Sequence, residues 1–195
     1  QTNIEHYLEI SELCEYRIEY HEGFIISFYE NIFNQMFNHE RIIFNFLLII
    51  GTFIKSNKLT WEVLPSNILI YIHLAKPCAY KPDASIFKEK AQLMTYINPK
   101  DESKHKAGLN PYAIFEVLSP STRSFDLREK LKNYKNITSV EQIIFAEKTK
   151  VKIIFYEKIG ENWIEAVYEN PNEVIFVADC PVSIADLYEN VDFNE

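Results

Sequence analysis

Two stretches in the middle of the chain place an acidic residue in or beside an apolar run. The first is KPDASIF, residues 81–87, in which Asp83 precedes the run, and the second is FEVLSPSTRSFDLREKLKNY, residues 115–134, in which Glu116 lies inside it. Such runs are typical of buried strands, where a carboxylate without a partner is costly. Buried acids usually hold a metal ion, another cation or a proton. The fold must therefore bring partners to both positions.

Length and composition predict one α/β or α+β domain over residues 1–195. The chain is 47% hydrophobic and 25% charged, which suits a single globular domain with a sizeable core. Its 12 Tyr, 14 Phe and 4 Gly favour strand-rich packing over disorder. We expect an N-terminal helix and hairpin over 3–28, a core over 38–158, and C-terminal strands with a short helix over 159–190.

Hydrophobic periodicity predicts the order of the elements. Helices are expected over residues 4–13, 39–55, 125–136 and 184–188, with Ser124 or Asp126 capping the third. Strands are expected over residues 16–20, 24–28, 59–64, 68–74, 84–87, 112–118, 140–146, 151–156, 163–168 and 174–177. The polar stretch 96–110 is expected to be a flexible loop. The helix over 39–55 is apolar on nearly every side, so we expect it to pack between a sheet and a second partner, such as another subunit.

The charge distribution permits a nucleic-acid partner although the net charge is −8. Residues 1–40 hold one basic and eight acidic residues, and residues 159–195 hold nine acidic and no basic ones. Residues 41–158 hold 19 basic and 11 acidic residues, a net charge of +8. A basic middle region suits contacts with phosphates. The alternative explanation of the charge distribution is that the acidic ends only keep the protein soluble.

Cysteine usage and hydropathy predict a cytoplasmic protein without a membrane partner. Cys14, Cys78 and Cys180 are far apart, form no CxxC pair and leave one unpaired in any disulfide scheme. The N-terminal segment has no basic, apolar signal layout. The longest apolar run, residues 42–54, is shorter than the roughly 20 residues that a membrane span needs.

The acids suit phosphodiester hydrolysis. That reaction needs an activated water and stabilisation of charge on the phosphate, which Mg²⁺ ions held by carboxylates with a nearby Lys provide. Neighbouring strands could bring Asp83 and Glu116 to one end of a sheet. As a bare pair, without the resemblance described below, the two acids favour salt-bridged or surface positions over a metal site.

The order of Asp83, Glu116 and Lys130 resembles the PD-(D/E)xK nuclease superfamily. The segment EVLSPST, followed by Asp126 and Lys130, resembles the superfamily's Uma2 family of restriction endonucleases. The resemblance extends over nearly the whole chain. Its other matching positions are Glu19, Tyr20, Gly23, His39, Asn45, Pro82, Ser119, Pro120, Ser121, Thr122 and Tyr134.

The resemblance implies a restriction-endonuclease-like core, a central mixed β-sheet flanked by helices. It also implies that Asp83 and Glu116 bind Mg²⁺ or Mn²⁺, that Lys130 orients the water or phosphate, and that Glu19 is an additional acid at the site. DNA is the expected substrate, and a homodimer is expected because duplex cleavage needs two sites.

Some positions depart from the family pattern or have a second interpretation. The simplest form of the motif places Lys two residues after the Glu, where this chain has Leu118, so Lys130 must reach back from its helix. Lys130 could instead form an (i, i+4) ion pair with Asp126, and Glu19 could pair with Arg17. We expect His39 to cap its helix or contact a second subunit, because Mg²⁺ prefers oxygen donors. Ser119, Ser121 and Thr122 are expected to form turn and cap hydrogen bonds.

Three functions follow from these features. The first is a metal-dependent endonuclease that hydrolyses DNA phosphodiester bonds. The second is a catalytically inactive nucleic-acid- or protein-binding module that retains the nuclease fold, which the sequence pI of about 5.2 and Leu118 favour. The third is a metal-dependent enzyme that acts on RNA or a small phosphorylated substrate.

Overall fold

The computed structural model describes residues 1–11, 13–14, 17–27, 36–97, 102 and 104–193, with the side chain of Met36 excepted. The helices are α1 Ile4–Ser11, α2 Met36–Ser56, α3 Arg123–Phe125, α4 Leu131–Tyr134 and α5 Ile184–Leu187. A π-helical turn, Asp126–Lys130, joins α3 to α4. We call residues 123–134 the helical segment.

The strands belong to two six-stranded sheets and one hairpin. They are β1 Ile18–His21, β2 Phe24–Ser27, β3 Glu62–Pro65, β4 Ile70–Ile72, β5 Cys78–Tyr80, β6 Ala84–Phe87, β7 Leu93–Ile97, β8 Lys104–Gly108, β9 Ala113–Leu118, β10 Gln142–Glu147, β11 Ile153–Ile159, β12 Asn162–Tyr168, β13 Val174–Val177 and β14 Cys180–Ser183.

The core sheet has the strand order β12-β11-β10-β9-β6-β3. Strands β9 and β10 run parallel, while the other neighbouring pairs are antiparallel, so the sheet is mixed. Helix α2 covers one face, where the rings of Phe46 and Phe115 stack with centroids 3.9 Å apart. The helical segment and part of the second sheet cover the other face. The expected fold, a central mixed sheet flanked by helices, is confirmed.

The second sheet, in the order β2-β1-β5-β4-β8-β7, was not predicted as a separate layer. Its outer face packs on Tyr7 and Leu8 of α1. The β1–β2 hairpin turns at Glu22 and Gly23, which have φ angles of 50° and 92°. Positive φ at both central residues matches the right-handed twist of the strands, and glycine accepts it without strain. The predicted hairpin is confirmed.

The predicted loop over 96–110 is wrong for the residues that form strands β7 and β8. These strands pair antiparallel and join the second sheet at its edge. The apolar pattern of the sequence does not predict these two strands, because Leu93 and Ile97 are exposed while His105 is buried. The rest of the predicted loop includes residues 98–101 and 103, which lie outside the described residues.

Helix α2 buries one side only. Ile42, Phe46 and Ile50 are almost fully buried, whereas Phe44 and Leu48 are 63% and 55% exposed. The stretch Phe37–Ser56 is long and apolar enough to cross a membrane by length and composition, although the core helix of a water-soluble protein passes the same test. Within one chain, the second partner expected for this helix is not supplied by the described residues.

Candidate active site where the two sheets meet

The corner Lys81-Pro82-Asp83 connects the two sheets. Strand β5 of the second sheet leads through it directly into β6 of the core sheet. The last ladder pair of β6 and β9 is Ala84 with Phe115, so the next step of the antiparallel register sets Asp83 opposite Glu116. The two predicted acids therefore lie side by side at one end of the core sheet, as the sequence indicated.

Alternation along the strands directs three acids toward one space. On β9, Phe115 and Val117 face α2, so Glu116 faces the helical segment. On β1, Ile18 and Tyr20 pack toward α1, so Glu19 faces the core sheet. Glu19, Asp83 and Glu116 are each no more than 2% exposed. The predicted additional acid, Glu19, thus comes from the other sheet.

Lys130 reaches this space from the π-helical turn. Its Nζ lies 3.0 Å from Oε1 of Glu19 and 3.0 Å from Oε1 of Glu116, and it also lies 3.2 Å from Oδ1 of Asp126. Its side chain is 4% exposed. Lys130 therefore forms the (i, i+4) ion pair with Asp126 and also reaches back to Glu19 and Glu116 of the two sheets. Asp126 lies inside the helical segment rather than at its cap.

Arg17 holds Asp83, where Lys130 makes no ion pair within 4.0 Å. Its Nη1 donates to Oδ1 of Asp83 at 2.8 Å, and its Nη2 donates to the carbonyl of Lys81. Nη2 also lies 3.7 Å from Oε1 of Glu19 and 3.8 Å from Oε2 of Glu116. Sequence reasoning considered only the contact with Glu19. The two-residue spacing of Arg17 and Glu19, which sets side chains on one face of a strand, was the available signal.

His39 approaches the same acid from α2. Its Nε2 lies 3.3 Å from Oδ2 of Asp83, and that oxygen also accepts the backbone N–H of Val117 at 2.7 Å. His39 lies within α2, and its ring contacts Asp83 and Glu40. The expected capping role is wrong, because α2 starts at Met36 and His39 lies inside the helix beside the corner. A contact of His39 with a second subunit stays a prediction.

Tyr134 completes the contacts of Glu116. Its hydroxyl donates to Oε1 of Glu116 at 2.7 Å, the same oxygen that Lys130 contacts. In the sequence, Tyr134 is only a position that matches the family, and nothing there predicts this hydrogen bond. Leu118, at the position of Lys in the simplest motif, is buried among apolar side chains and contributes no charge.

Burial and neighbouring charges shift the pKa values in opposite directions. Burial raises the pKa of Glu116 to about 8, because Asp83 and Asp126 add to the effect and Lys130 only partly opposes it. Burial would also raise the pKa of Asp83, but His39 and Arg17 outweigh it and hold that pKa well below its usual range. Near neutral pH, Asp83 is therefore ionised, while Glu116 retains a proton more readily than an exposed Glu.

Lys130 and His39 are charged because neighbouring acids outweigh the effect of burial on their pKa values. Burial would lower the pKa of Lys130, but Glu116, Glu19 and Asp126 outweigh it and raise that pKa above its usual value. Burial likewise opposes protonation of His39, but the charge and hydrogen bond of Asp83 raise its pKa to about 10. The site is a compact set of carboxylates neutralised by cations of the chain itself.

One observation at the carboxylates of the site favours binding of a hard divalent cation, and another is against it. Oε2 of Glu19 is buried and has no hydrogen-bond partner, which is expected of an oxygen that holds water or a cation. Among the described residues, however, no three His, Cys, Asp or Glu side chains are arranged to hold a metal ion. Arg17 contacts the same carboxylates, so an ion would compete with its guanidinium.

The serine-rich turn after β9 has a structural role. The hydroxyl of Ser119 lies 2.9 Å from that of Ser121 and 3.0 Å from that of Thr122, and it accepts the backbone N–H of Thr122 at 3.2 Å. These contacts agree with the expected turn hydrogen bonds. They start the helical segment in the direction that returns Lys130 to Glu116.

Comparison with known proteins agrees with the observed fold. An uncharacterised protein of Synechocystis sp., sll1609, is 24% identical over 159 residues, which cover 81% of this chain and 82% of that protein. A crystal structure described as that of "a putative nuclease belonging to DUF820" from Anabaena variabilis has the same fold, with a TM-score of 0.64 at 17% identity, covering 93% of this chain and 96% of that one. The family model Uma2, described as "Putative restriction endonuclease", matches residues 4–185, and the chain therefore belongs to the Uma2 family of restriction-endonuclease-like proteins.

Proposed function

We propose that this protein is a divalent-metal-dependent endonuclease that hydrolyses phosphodiester bonds of DNA. The observation that carries the proposal is the buried ammonium group of Lys130, 3.0 Å from the carboxylates of both Glu19 and Glu116 beside Asp83. Purely structural cores rarely bury charged groups, because their desolvation costs several kcal/mol per ion. Perturbed carboxylates beside a lysine at a sheet end suit catalysis better than stability.

Asp83 and Glu116 would hold Mg²⁺ or Mn²⁺, with the unpartnered Oε2 of Glu19 as a further donor. A bound ion of this kind lowers the pKa of its water and neutralises charge on the phosphate. Lys130, held by Glu19 and Asp126, would orient the attacking water or a phosphate oxygen from a fixed direction. Tyr134 and Val117 hold Glu116 and Asp83 in place by hydrogen bonds.

Arg17 would have to leave the carboxylates as an ion enters. Its side chain is 39% exposed, so the guanidinium has access to solvent, and there it can interact with a substrate phosphate instead. Glu116 would release its proton in the same step, because carboxylate ligands bind as anions. Metal affinity should therefore rise with pH up to about 8.

Cleavage of supercoiled plasmid tests this function. We expect nicking with Mg²⁺ or Mn²⁺, none with EDTA, and none with the double variant Asp83→Asn, Glu116→Gln. Glu157→Gln is the matched control, since Glu157 lies on β11 of the same sheet and is not in contact with the site. Calorimetric titration with Mn²⁺ gives a readout independent of the substrate. Unchanged Mn²⁺ affinity in the folded double variant would overturn the assignment of the ligands.

One observation favours a non-catalytic module as the second candidate. Arg17 and Lys130 already neutralise the acids without an ion. A site neutralised by its own cations needs no metal ion. A protein with such a site can bind nucleic acid or another protein whether or not a metal ion is present. Binding of duplex DNA with equal affinity in Mn²⁺ and EDTA, without cleavage in either, would support this candidate against the nuclease.

We also propose that two chains act together, one for each strand of a duplex. Phe37, Phe44 and Leu48 recur on the open side of α2 with exposures of 62%, 63% and 55%. Large apolar side chains exposed along one helix face favour an interaction surface, and a symmetric dimer covers it with the same surface of a second copy. In light scattering we expect a dimer that Phe44→Gln with Leu48→Gln converts to a monomer, whereas Ile164→Gln on β12 does not. A monomeric parent protein at micromolar concentration would contradict the dimer.

A further inference from the structure

A basic loop lies beyond the same end of the core sheet as the acids. Strands β9 and β10 are parallel, and their last pair is Leu118 with Glu147. The backbone N–H of Lys148 donates to the carbonyl of Leu118 at 3.4 Å. Residues 148–152, which connect β10 to β11, therefore continue past the strand end that leads from Glu116 to Ser119. The sequence there, KTKVK, has a lysine at every second position.

A shallow pocket of about 280 Å³ opens between this loop and the start of the helical segment. We call it the basic pocket; its lining residues are Pro120, Arg123, Glu147, Thr149, Lys150 and Lys152. Half of these six side chains are basic, and none is aromatic. The pocket therefore offers charge without a surface on which a base could stack.

Ion pairs orient two of the cations that line the pocket. Nε of Arg123 donates to Oε1 of Glu147 at 2.8 Å while the side chain remains 47% exposed. Nζ of Lys152 pairs with Glu169 at 2.8 Å, and Lys152, with a smaller contribution from Lys150, lowers the pKa of Glu169. Lys150 itself is exposed and forms no salt bridge within the described residues. It is the cation most available to an external anion.

We propose that the basic pocket binds a backbone phosphate of duplex DNA and so positions the strand across the acids. This inference rests on the proposed function. Pro120 is four residues from Glu116, at most about 13 Å along the chain. With a rise of about 3.4 Å per nucleotide, the phosphate held at the pocket lies within roughly four nucleotides of the one at the acids.

The lining chemistry indicates contact with the backbone rather than with bases. Lys and Arg side chains neutralise phosphates, which sets register and affinity but carries no sequence information. The net charge of +8 over residues 41–158, within a chain of net charge −8, agrees with a localised phosphate-binding surface. Lys150 and Arg123 are thus positioning residues for the substrate, outside the catalytic contacts.

Fluorescence anisotropy of a labelled duplex in EDTA measures binding without cleavage. We expect Lys150→Gln to weaken binding on the order of 5-fold, and to reduce the slope of log affinity against log salt by about 1. Arg123→Gln should weaken binding similarly, and Lys150→Arg should restore it. Lys90→Gln is the matched control, because Lys90 is exposed in the loop at the opposite end of β6 from Asp83.

The outcomes separate this proposal from the proposed function. If the parent protein binds and cleaves DNA but Lys150→Gln and Arg123→Gln bind as it does, the basic pocket is not the phosphate site and the nuclease assignment stands. If Lys90→Gln weakens binding equally, overall charge explains the effect and the pocket is again excluded. If the parent protein neither binds nor cleaves DNA, both proposals are wrong.

Discussion

Strand β9 carries opposite chemistry on its two faces. Toward α2 it presents Ala113, Phe115 and Val117, which are surrounded by apolar side chains. Toward the helical segment it presents Glu116 between Ile114 and Leu118. Both faces are buried to a similar degree. The covering helices match this difference, because α2 brings Phe46 to one face and the helical segment brings Lys130 and Tyr134 to the other.

The two faces of β9 therefore contribute differently to the free energy of unfolding. The apolar face gains free energy directly from burial and packing. The polar face must compensate the desolvation of several charges with ion pairs and hydrogen bonds, and such compensation is often only partial. We therefore expect substitutions on the two faces to separate stability from metal binding.

The largest effect on stability is expected from Phe115→Ala or Lys130→Met. Truncation of Phe115 leaves a cavity beside Phe46 and should lower the free energy of unfolding by about 3–5 kcal/mol. It should not alter Mn²⁺ affinity in the folded protein. Urea denaturation with calorimetric titration checks both values, and a matching loss of metal affinity would mean that the faces are not independent.

Lys130→Met removes the cation shared by Glu19, Glu116 and Asp126. Breaking a buried ion pair from one side costs about 3–5 kcal/mol, because the remaining charges have no partner. The same acids should then gain protons, so destabilisation should be smaller at low pH. Urea denaturation at pH 5 and pH 8 measures this trend, and a loss independent of pH would show that packing rather than charge dominates.

Glu116→Gln is expected to act through pH. The folded protein keeps the proton of Glu116 up to a pKa of about 8, whereas an unfolded chain loses it near the ordinary glutamate pKa of 4.5. Because the raised pKa favours the protonated folded state, this contribution is complete below about pH 4.5 and is lost as pH rises to about 8. The variant should therefore gain stability relative to the parent protein across that window, while losing metal affinity. Parallel stability curves from pH 5 to pH 9 would contradict the raised pKa.

A smaller effect is expected from Arg17→Met, since Arg17 is partly exposed. Loss of its guanidinium leaves Asp83 with His39 and the N–H of Val117, and should cost on the order of 1–3 kcal/mol. Mn²⁺ should bind more tightly because its competitor is absent. Weaker Mn²⁺ binding in calorimetry would show instead that Arg17 supports the site.

Much of the candidate site was predictable because its acids interrupt apolar patterns. Asp83 and Glu116 stand in or beside apolar runs, where their burial follows from neighbouring residues. Glu19 was assigned to the site only by the family resemblance, since its alternation with Ile18 and Tyr20 predicts a polar face. Lys130 was predictable only with the family resemblance, since its spacing from Asp126 equally suits a surface pair. Arg17 and His39 were not assigned to Asp83, because 66 residues separate Arg17 from it and no local pattern indicates that contact.

Local patterns in the sequence predict the buried strand that carries Glu116 and the family resemblance, because both depend on residues near one another in the chain. They do not predict strand β5 or the corner at Lys81-Pro82-Asp83 that it leads into. The tertiary structure decided that Glu19 joins Glu116 from a second sheet, that Lys130 serves both, and that Arg17 contacts all three sheet acids. The physical reason is that a buried charge is tolerated only beside its partners, and those partners come from distant segments that packing alone brings together.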